Sequence, residues 1–175
     1  FLCTTSFGDV ILGNVVGPGG NIARLSALEA GLGYHIPGVT IDRQCGAGLE
    51  AIRTACHFIQ GGAGNCYIAG GVESTSTSPF QNRARFSPET IGDPSMGVAA
   101  EYVAERYNIT REMQDEYACL SYKRTLQALE KGYIHDEIMS FNGLLDESIK
   151  LEMNYERMIK RTKPAFLQNG TVTAG

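Results

Sequence analysis

Five cysteines and three histidines are the side chains best suited to nucleophilic or proton-transfer chemistry in these 175 residues. The cysteines are Cys3, Cys45, Cys56, Cys66 and Cys119. Their number is odd, their spacing irregular, and no two stand as CxxC. Neither a disulfide framework nor a metal site is therefore expected, and the usage points to a reducing, cytoplasmic compartment. A free cysteine is ordinarily a small buried hydrophobe. Cys45 differs through its surroundings, Asp42-Arg-Gln-Cys45-Gly-Ala-Gly-Leu-Glu-Ala51. A short β-like run ends before it, small residues follow, and a helical pattern runs out. That order puts Cys45 at a helix N-terminus, where unpaired N–H groups favour a thiolate and can receive a developing oxyanion. Gly46, Ala47 and Gly48 leave room for a substrate, as in other strand–nucleophile–helix elbows.

No histidine is placed to act as its base. His57 lies 12 positions along the helix from Cys45, about 18 Å at 1.5 Å per residue, too far for direct proton transfer. His35 precedes the strand that leads to Cys45, at its opposite end, and His135 follows Gly132 at a helix end. Gly17-Pro-Gly-Gly20 lacks the Gly-Lys-Ser/Thr ending of a phosphate loop and reads as a turn.

The elements that must position Cys45 alternate. Asp9–Asn14, Val39–Asp42 and Asn65–Gly71 read as strands. Asn21 caps a helix through Ile22, Leu25, Leu28 and Ala30, and Gly46–Gln60 forms a second, stopped by Gly61-Gly62. The result is βαβαβ, an α/β half-sheet that is parallel and covered by helices. On the second helix Leu49, Ile52, Cys56 and Ile59 form an apolar stripe, widened by Ala51, Ala55 and Phe58 and expected to face the core, with Cys56 as packing. From Ser74 the composition changes. Asp93–Arg106 predicts a short helix, and Thr110 caps a longer one ending at Gly132. Its two stripes, Met113–Tyr117–Leu120 and Ala118–Tyr122–Leu126–Leu129, predict burial on more than one side. Residues 1–79 thus form a partial α/β domain carrying the nucleophile, and 80–175 a largely helical second domain.

Composition narrows the function. A net charge of -4 with no basic stripe argues against nucleic acid. No run approaches the ~18 apolar residues of a membrane span. Charged residues are 19%, against a usual ~25%, and glycines number 21, which together predict a largely buried chain.

Val39-Thr-Ile-Asp-Arg-Gln-Cys45-Gly-Ala-Gly-Leu-Glu-Ala-Ile52, followed by Ile68-Ala-Gly-Gly-Val-Glu-Ser-Thr-Ser76, resembles the nucleophile region of the thiolases. Gly13-Asn-Val-Val16, Asp93-Pro-Ser-Met-Gly97 with Ala100-Glu101, Gln114-Asp115, and Gly170-Thr-Val-Thr-Ala-Gly175 extend the likeness in order over most of the chain. The resemblance implies a thiolase N-terminal half with much of its loop domain. It implies acyl exchange between CoA thioesters, by Claisen condensation or thiolysis of 3-ketoacyl-CoA, with Cys45 as the acylated nucleophile. It implies CoA contacts at Met96, Phe166 and Ala174, a place in fatty acid metabolism, no metal or redox cofactor, and a homodimer or homotetramer. The family's C-terminal half, with its Gly-His-Pro histidine and second cysteine, is expected to be absent from the sequence, leaving the chain inactive alone. Two readings stand against this one. A ketoacyl synthase shares the elbow but fits Gly-Gly-Val-Glu-Ser less well, and a scaffold homologue would bind CoA without turnover.

The pattern also departs from the family. Asp42 stands where Asn is usual, Gly46-Ala47 replaces Ala-Ser, Ser95 replaces a His, and Met158 replaces a CoA-contacting Ser. Phe1–Gly8 does not match the family's first strand, and the region Pro79–Gln81 is shorter than the family's. The departures imply a divergent branch with altered CoA contacts.

Overall fold

The structure, a computed structural model, describes residues 7–79, 85–144 and 154–174. Cys3, Phe80, Gln81 and Gly175 lie outside the described residues, as does most of Phe1–Gly8. Two compact units make up the chain, Phe1–Arg85 and Phe86–Gly175.

In the first unit three four-residue strands, β1 (Val10–Gly13), β2 (Gly38–Ile41) and β3 (Ile68–Gly71), form a parallel sheet in the order β2-β1-β3. Parallel neighbours need crossover connections, and the helices α1 (Ile22–Glu29) and α2 (Ala47–Gln60) supply them. The α/β half-sheet is the one the sequence implies. Val10 pairs with Gly38 and Ile68, and Gly13 with Ile41 and Gly71. Successive strand residues point to opposite faces. Val10 accordingly packs with Ala23, Ala27 and Ile36 on the α1 side, while Ile11 packs with Ala51 and Ala55 on the α2 side.

Small residues, not large ones, make both helix–sheet seams. A methyl at Gly38 would lie 2.5 Å from the Arg24 backbone nitrogen, so α1 rests on β2 backbone to backbone. Its Asn21 cap accepts from Arg24 N at 3.1 Å and donates to Gly38 O at 2.6 Å. On α2 the buried line is Ala47, Ala51 and Ala55. This corrects the expected stripe. Leu49 is 73% and Ile52 48% exposed, and Cys56 and Ile59 are exposed as well. At such a close approach no room remains between helix and sheet for Leu or Ile, so the alanine line is buried and the larger side chains point away. Many large apolar side chains are exposed, which also corrects the expectation of a largely buried chain.

The second unit holds α3 (Met96–Tyr107), α4 (Arg111–Glu130) and α5 (Tyr155–Arg161). Ser95, Thr110 and Asn154 cap them, accepting from Val98 N, Met113 N and Arg157 N. Helix α4 packs on α5 through a Tyr122–Tyr155 stack at 4.3 Å. Arg111 adds bonds to Ile159 O and Thr162 O at 2.9 and 2.7 Å. Ala118, Tyr122, Leu126 and Leu129 are half-buried, whereas Met113, Tyr117 and Leu120 are exposed. Among the described residues burial of α4 on two sides is thus not observed: α5 covers one side, and no α4 residue is fully buried. Among the described residues no helix is long and apolar enough to cross a membrane.

The seam between β1 and α2 gives a discriminating pair of substitutions. A methyl at Gly13 would overlap the Ala47 carbonyl carbon, whereas one at Gly48 would meet its nearest neighbour, Gly71 Cα, at 3.7 Å. Gly13→Ala should therefore cost about 1–3 kcal/mol, and Gly48→Ala should gain up to about 1 kcal/mol from helix propensity. Urea denaturation checks both, and equal midpoints for the two variants would refute close docking.

Candidate active site

Cys45 is carried on the turn between β2 and α2. The turn begins when Asp42 Oδ1 accepts from Gln44 N at 2.9 Å, a side chain standing in for a backbone turn partner. Gln44 adopts φ 52°, left-handed backbone that costs a non-glycine residue about 1 kcal/mol or more. Three bonds hold it there. Gly46 N donates to Arg43 O at 3.1 Å, Ala47 N to Gln44 O at 2.9 Å, and Glu50 N to Gly46 O at 2.9 Å. Gly46 is the N-cap of α2 and offers no side chain to the first-turn N–H groups. Cys45 is exposed beside them. Among the described residues no histidine is hydrogen-bonded to it, and no group of three or more His, Cys, Asp or Glu could hold a metal.

The platform under this turn is the carboxyl end of the sheet, the usual ligand-binding end of open parallel sheets. Gly13 and Gly71, the last residues of β1 and β3, press against Ala47 and Gly48 at the start of α2. Asn14 N donates to Ile41 O at 3.1 Å, tying β1 to the end of β2. Glu73 closes the other side. Its carboxylate accepts from Val15 N at 3.1 Å, Val16 N at 2.9 Å and Ser78 Oγ at 2.9 Å. Asn14 Nδ2 donates to Val72 O at 2.8 Å and to Glu73 at 3.3 Å. The Val16 N–H, foremost among these donors, holds the Glu73 carboxyl below its ordinary range.

An ion triad flanks Cys45. Arg53 Nη2 and Arg43 Nη1 reach the two oxygens of Glu50 at 2.6 and 2.5 Å, and Arg53 Nε adds a bond at 2.9 Å. The Arg53 hydrogen bonds, with those of Arg43, lower the Glu50 carboxyl to about 2.

The three candidate CoA contacts lie in the second unit. Met96 is exposed and opens α3. Phe166 lies over Gly97, where any side chain would overlap its ring. Ala165 N donates to Val172 O at 3.0 Å, closing a loop that begins beside Phe166. Ala174 is exposed two residues beyond it. Met158 is exposed on α5. Ser95, standing where the family has His, serves as the α3 cap.

With this geometry in place, comparison with known proteins is decisive. Residues 3–175 match the family model described as thiolase, N-terminal domain. The chain belongs to the thiolase family. It is 58% identical over 168 residues to the Bacillus subtilis protein named "Putative acetyl-CoA C-acetyltransferase YhfS", covering 95% of this chain and 46% of that protein. The Staphylococcus aureus protein named "Putative acetyl-CoA C-acetyltransferase VraB" is 49% identical over 187 residues, covering 95% and 48%. The crystal structure of the Bacillus anthracis acetyl-CoA acetyltransferase superposes with a TM-score of 0.81 at 32% identity, covering 98% of this chain and 50% of that one. The chain thus spans about half the length of the relatives it matches.

Within this thiolase chain the sequence reading singled out Cys45 but passed over the left-handed Gln44 and the Glu73 clamp. The signal for Glu73 was available in Gly-Gly-Val-Glu, where a lone acid follows a strand ending in glycines. Nothing in the sequence alone named Val15 and Val16 as its partners.

The triad makes a pH prediction. Glu50 has a depressed carboxyl, so its ion pairs are complete above the ordinary 4.5 and are lost as pH falls through about 2. Carboxyl NMR titration of Glu50 should show that midpoint, and Arg53→Ala, removing the foremost cause, should return it toward 4.5. An unmoved midpoint would refute the assignment to Arg53.

Proposed function

We propose that this chain supplies the acyl-accepting nucleophile of a thiolase, with Cys45 as the residue acylated. The observation that carries the reading is an exposed cysteine on a strained turn at the uncapped N-terminus of α2, in a chain matched to the thiolase model over nearly its whole length. The helix N-terminus offers N–H donors to a tetrahedral oxyanion. In the first half-reaction the Cys45 thiolate attacks the thioester carbonyl of an acyl-CoA. The bond from carbonyl carbon to the CoA sulfur breaks, and CoA leaves as a thiol after taking up a proton. In condensation the α-carbon of acetyl-CoA gives its proton to a general base, the role the resemblance assigns to the family's second cysteine, and attacks the acyl-Cys45 carbonyl. A carbon–carbon bond forms, the bond to Sγ breaks, and 3-ketoacyl-CoA departs; thiolysis is the reverse.

CoA is the substrate carrier, and Met96, Phe166 and Ala174 are its proposed contacts. The names of the relatives support acetyl transfer as the reaction class. A homodimer or homotetramer, a cytoplasmic location and a role in fatty acid metabolism complete the proposal.

The test is acyl transfer to the full-length protein. Incubation with labelled acetyl-CoA should leave one acetyl group on the peptide containing Cys45. Cys45→Ala should abolish the adduct and lower turnover about 10³-fold or more. Iodoacetamide should alkylate Cys45 at least about tenfold faster than Cys56, which is also exposed but lies in mid-helix. Equal rates at the two cysteines would defeat the nucleophile assignment. CoA binding without an acetyl adduct would turn the reading to a scaffold homologue.

A further inference from the structure

Glu101 is the one charged side chain buried among the described residues, at 6% exposure. It sits on α3, five residues after Met96. No arginine or lysine accompanies it in the hydrogen bonds and ion pairs of the described residues. Its oxygens instead accept from one stretch of backbone. Thr171 N donates at 3.0 and 2.9 Å, Val172 N at 2.9 Å, and Thr171 Oγ1 at 3.3 Å. Gly170 leaves the space: a methyl there would meet the Glu101 carboxyl carbon at 2.7 Å. Gln114 Nε2, from α4, donates to Thr171 Oγ1 at 2.9 Å and completes the cluster.

We infer that Glu101 is a positioning residue for CoA: its carboxylate fixes the 170–172 backbone and thereby places Phe166, which packs on the start of α3, and the lead into Ala174. The inference rests on the proposed CoA contacts at those two residues and adds the group that places them. An unpaired buried carboxylate is strongly disfavoured, so its satisfaction by these N–H groups locks the segment in one conformation. The lock reaches both contacts. Val172 O accepts from Ala165 N, the neighbour of Phe166, and Ala174 follows Val172 by two residues. Phe166 in turn lies on Gly97, in the first turn of the helix that carries Glu101. The Thr171 N–H foremost, with the Val172 N–H and the Thr171 hydroxyl, holds the carboxyl below its ordinary range, which keeps the lock ionised at neutral pH.

Glu101→Gln replaces one acceptor oxygen with an NH₂ group facing N–H donors. In the full-length protein it should raise the Kd for desulfo-CoA, measured by calorimetry, about tenfold. It should also speed amide exchange at Thr171 and Val172. Far-UV circular dichroism and the urea midpoint report whether the fold survives. Thr171→Val keeps both backbone donors and removes one hydroxyl, and should raise the Kd about threefold, with Thr171→Ser restoring it. Faster exchange at 171–172 with an unchanged Kd would overturn the inference and leave the thiolase reading standing. Failure of the wild-type protein to bind desulfo-CoA would overturn both. Should Glu101→Gln fail to fold, the Thr171 pair decides: a Kd equal to wild type in both variants overturns the inference.

Discussion

Direct backbone contact between the first turn of α2 and the carboxyl end of the sheet is the constraint on which the first unit depends. Gly13 and Gly71 have no side chains, and Ala47 and Gly48 arrive where a layer of side chains would otherwise stand. The sheet register puts those two glycines opposite each other, so the two contacts act together. Once the helix is seated there, its next buried positions are fixed at intervals of four, which is why Ala51 and Ala55 follow Ala47. The chain leaving β2 then has only Asp42 to Gly46 in which to reach the helix start. Gln44 takes a left-handed conformation in that short span, and Cys45 is left outside.

Carboxylates solve the same problem in each unit. Glu73 gathers the N–H groups of Val15 and Val16 across the sheet end, and Glu101 gathers those of Thr171 and Val172 beside α3. In both, an irregular segment that has no strand or helix partner receives its hydrogen bonds from one acid. Irregular backbone cannot be left unsatisfied where it is partly buried. A charged acceptor binds several donors at once and more strongly than a neutral one, so a single side chain orders a whole loop. The two acids differ in setting. Glu73 works at an open sheet end, while Glu101 is enclosed and depends wholly on its loop for solvation.

Local signals in the sequence were readable and global ones were not. Asn21 and Thr110 cap the helices they were expected to cap, because a cap is decided by one side chain and an N–H three residues away. β1 and β3 lie within the runs read as strands, shortened at their ends, and β2 begins one residue before its run and ends one residue earlier, since an apolar run does not say where pairing begins. Burial was read wrongly on α2 and α4. Periodicity puts Ala51 and Ala55 on the apolar face with the larger side chains, but does not tell which part of that face is covered. The Leu49 and Met113 stripes are real, and among the described residues no element covers them. Helix α5 was missed because seven mostly charged residues carry too little period, although Tyr155 and Ile159 bury one side of it. The turn of Cys45 was legible because strand, small residues and helix follow one another directly. Glu73 and Glu101 were not, because their partners lie 57 to 71 residues away.

This division bears on how the proposed chemistry would respond to change. The position of Cys45 is determined inside the first unit, by glycine contacts and the strained turn. Met96 and Phe166 are set inside the second unit, by α3, Gly97 and Glu101. A substitution that loosens the α2 seam should therefore act on the acylation step, and so on kcat. One that loosens the 170–172 segment should act on the hold on CoA, which appears as a higher KM with kcat preserved when ground state and transition state are weakened alike. Divergence at Ser95 and Met158 falls wholly in the second unit. Asp42 and Gly46-Ala47, by contrast, depart from the family's usual residues in the very turn that carries Cys45, so on the proposed function divergence touches the setting of the nucleophile as well as the hold on CoA.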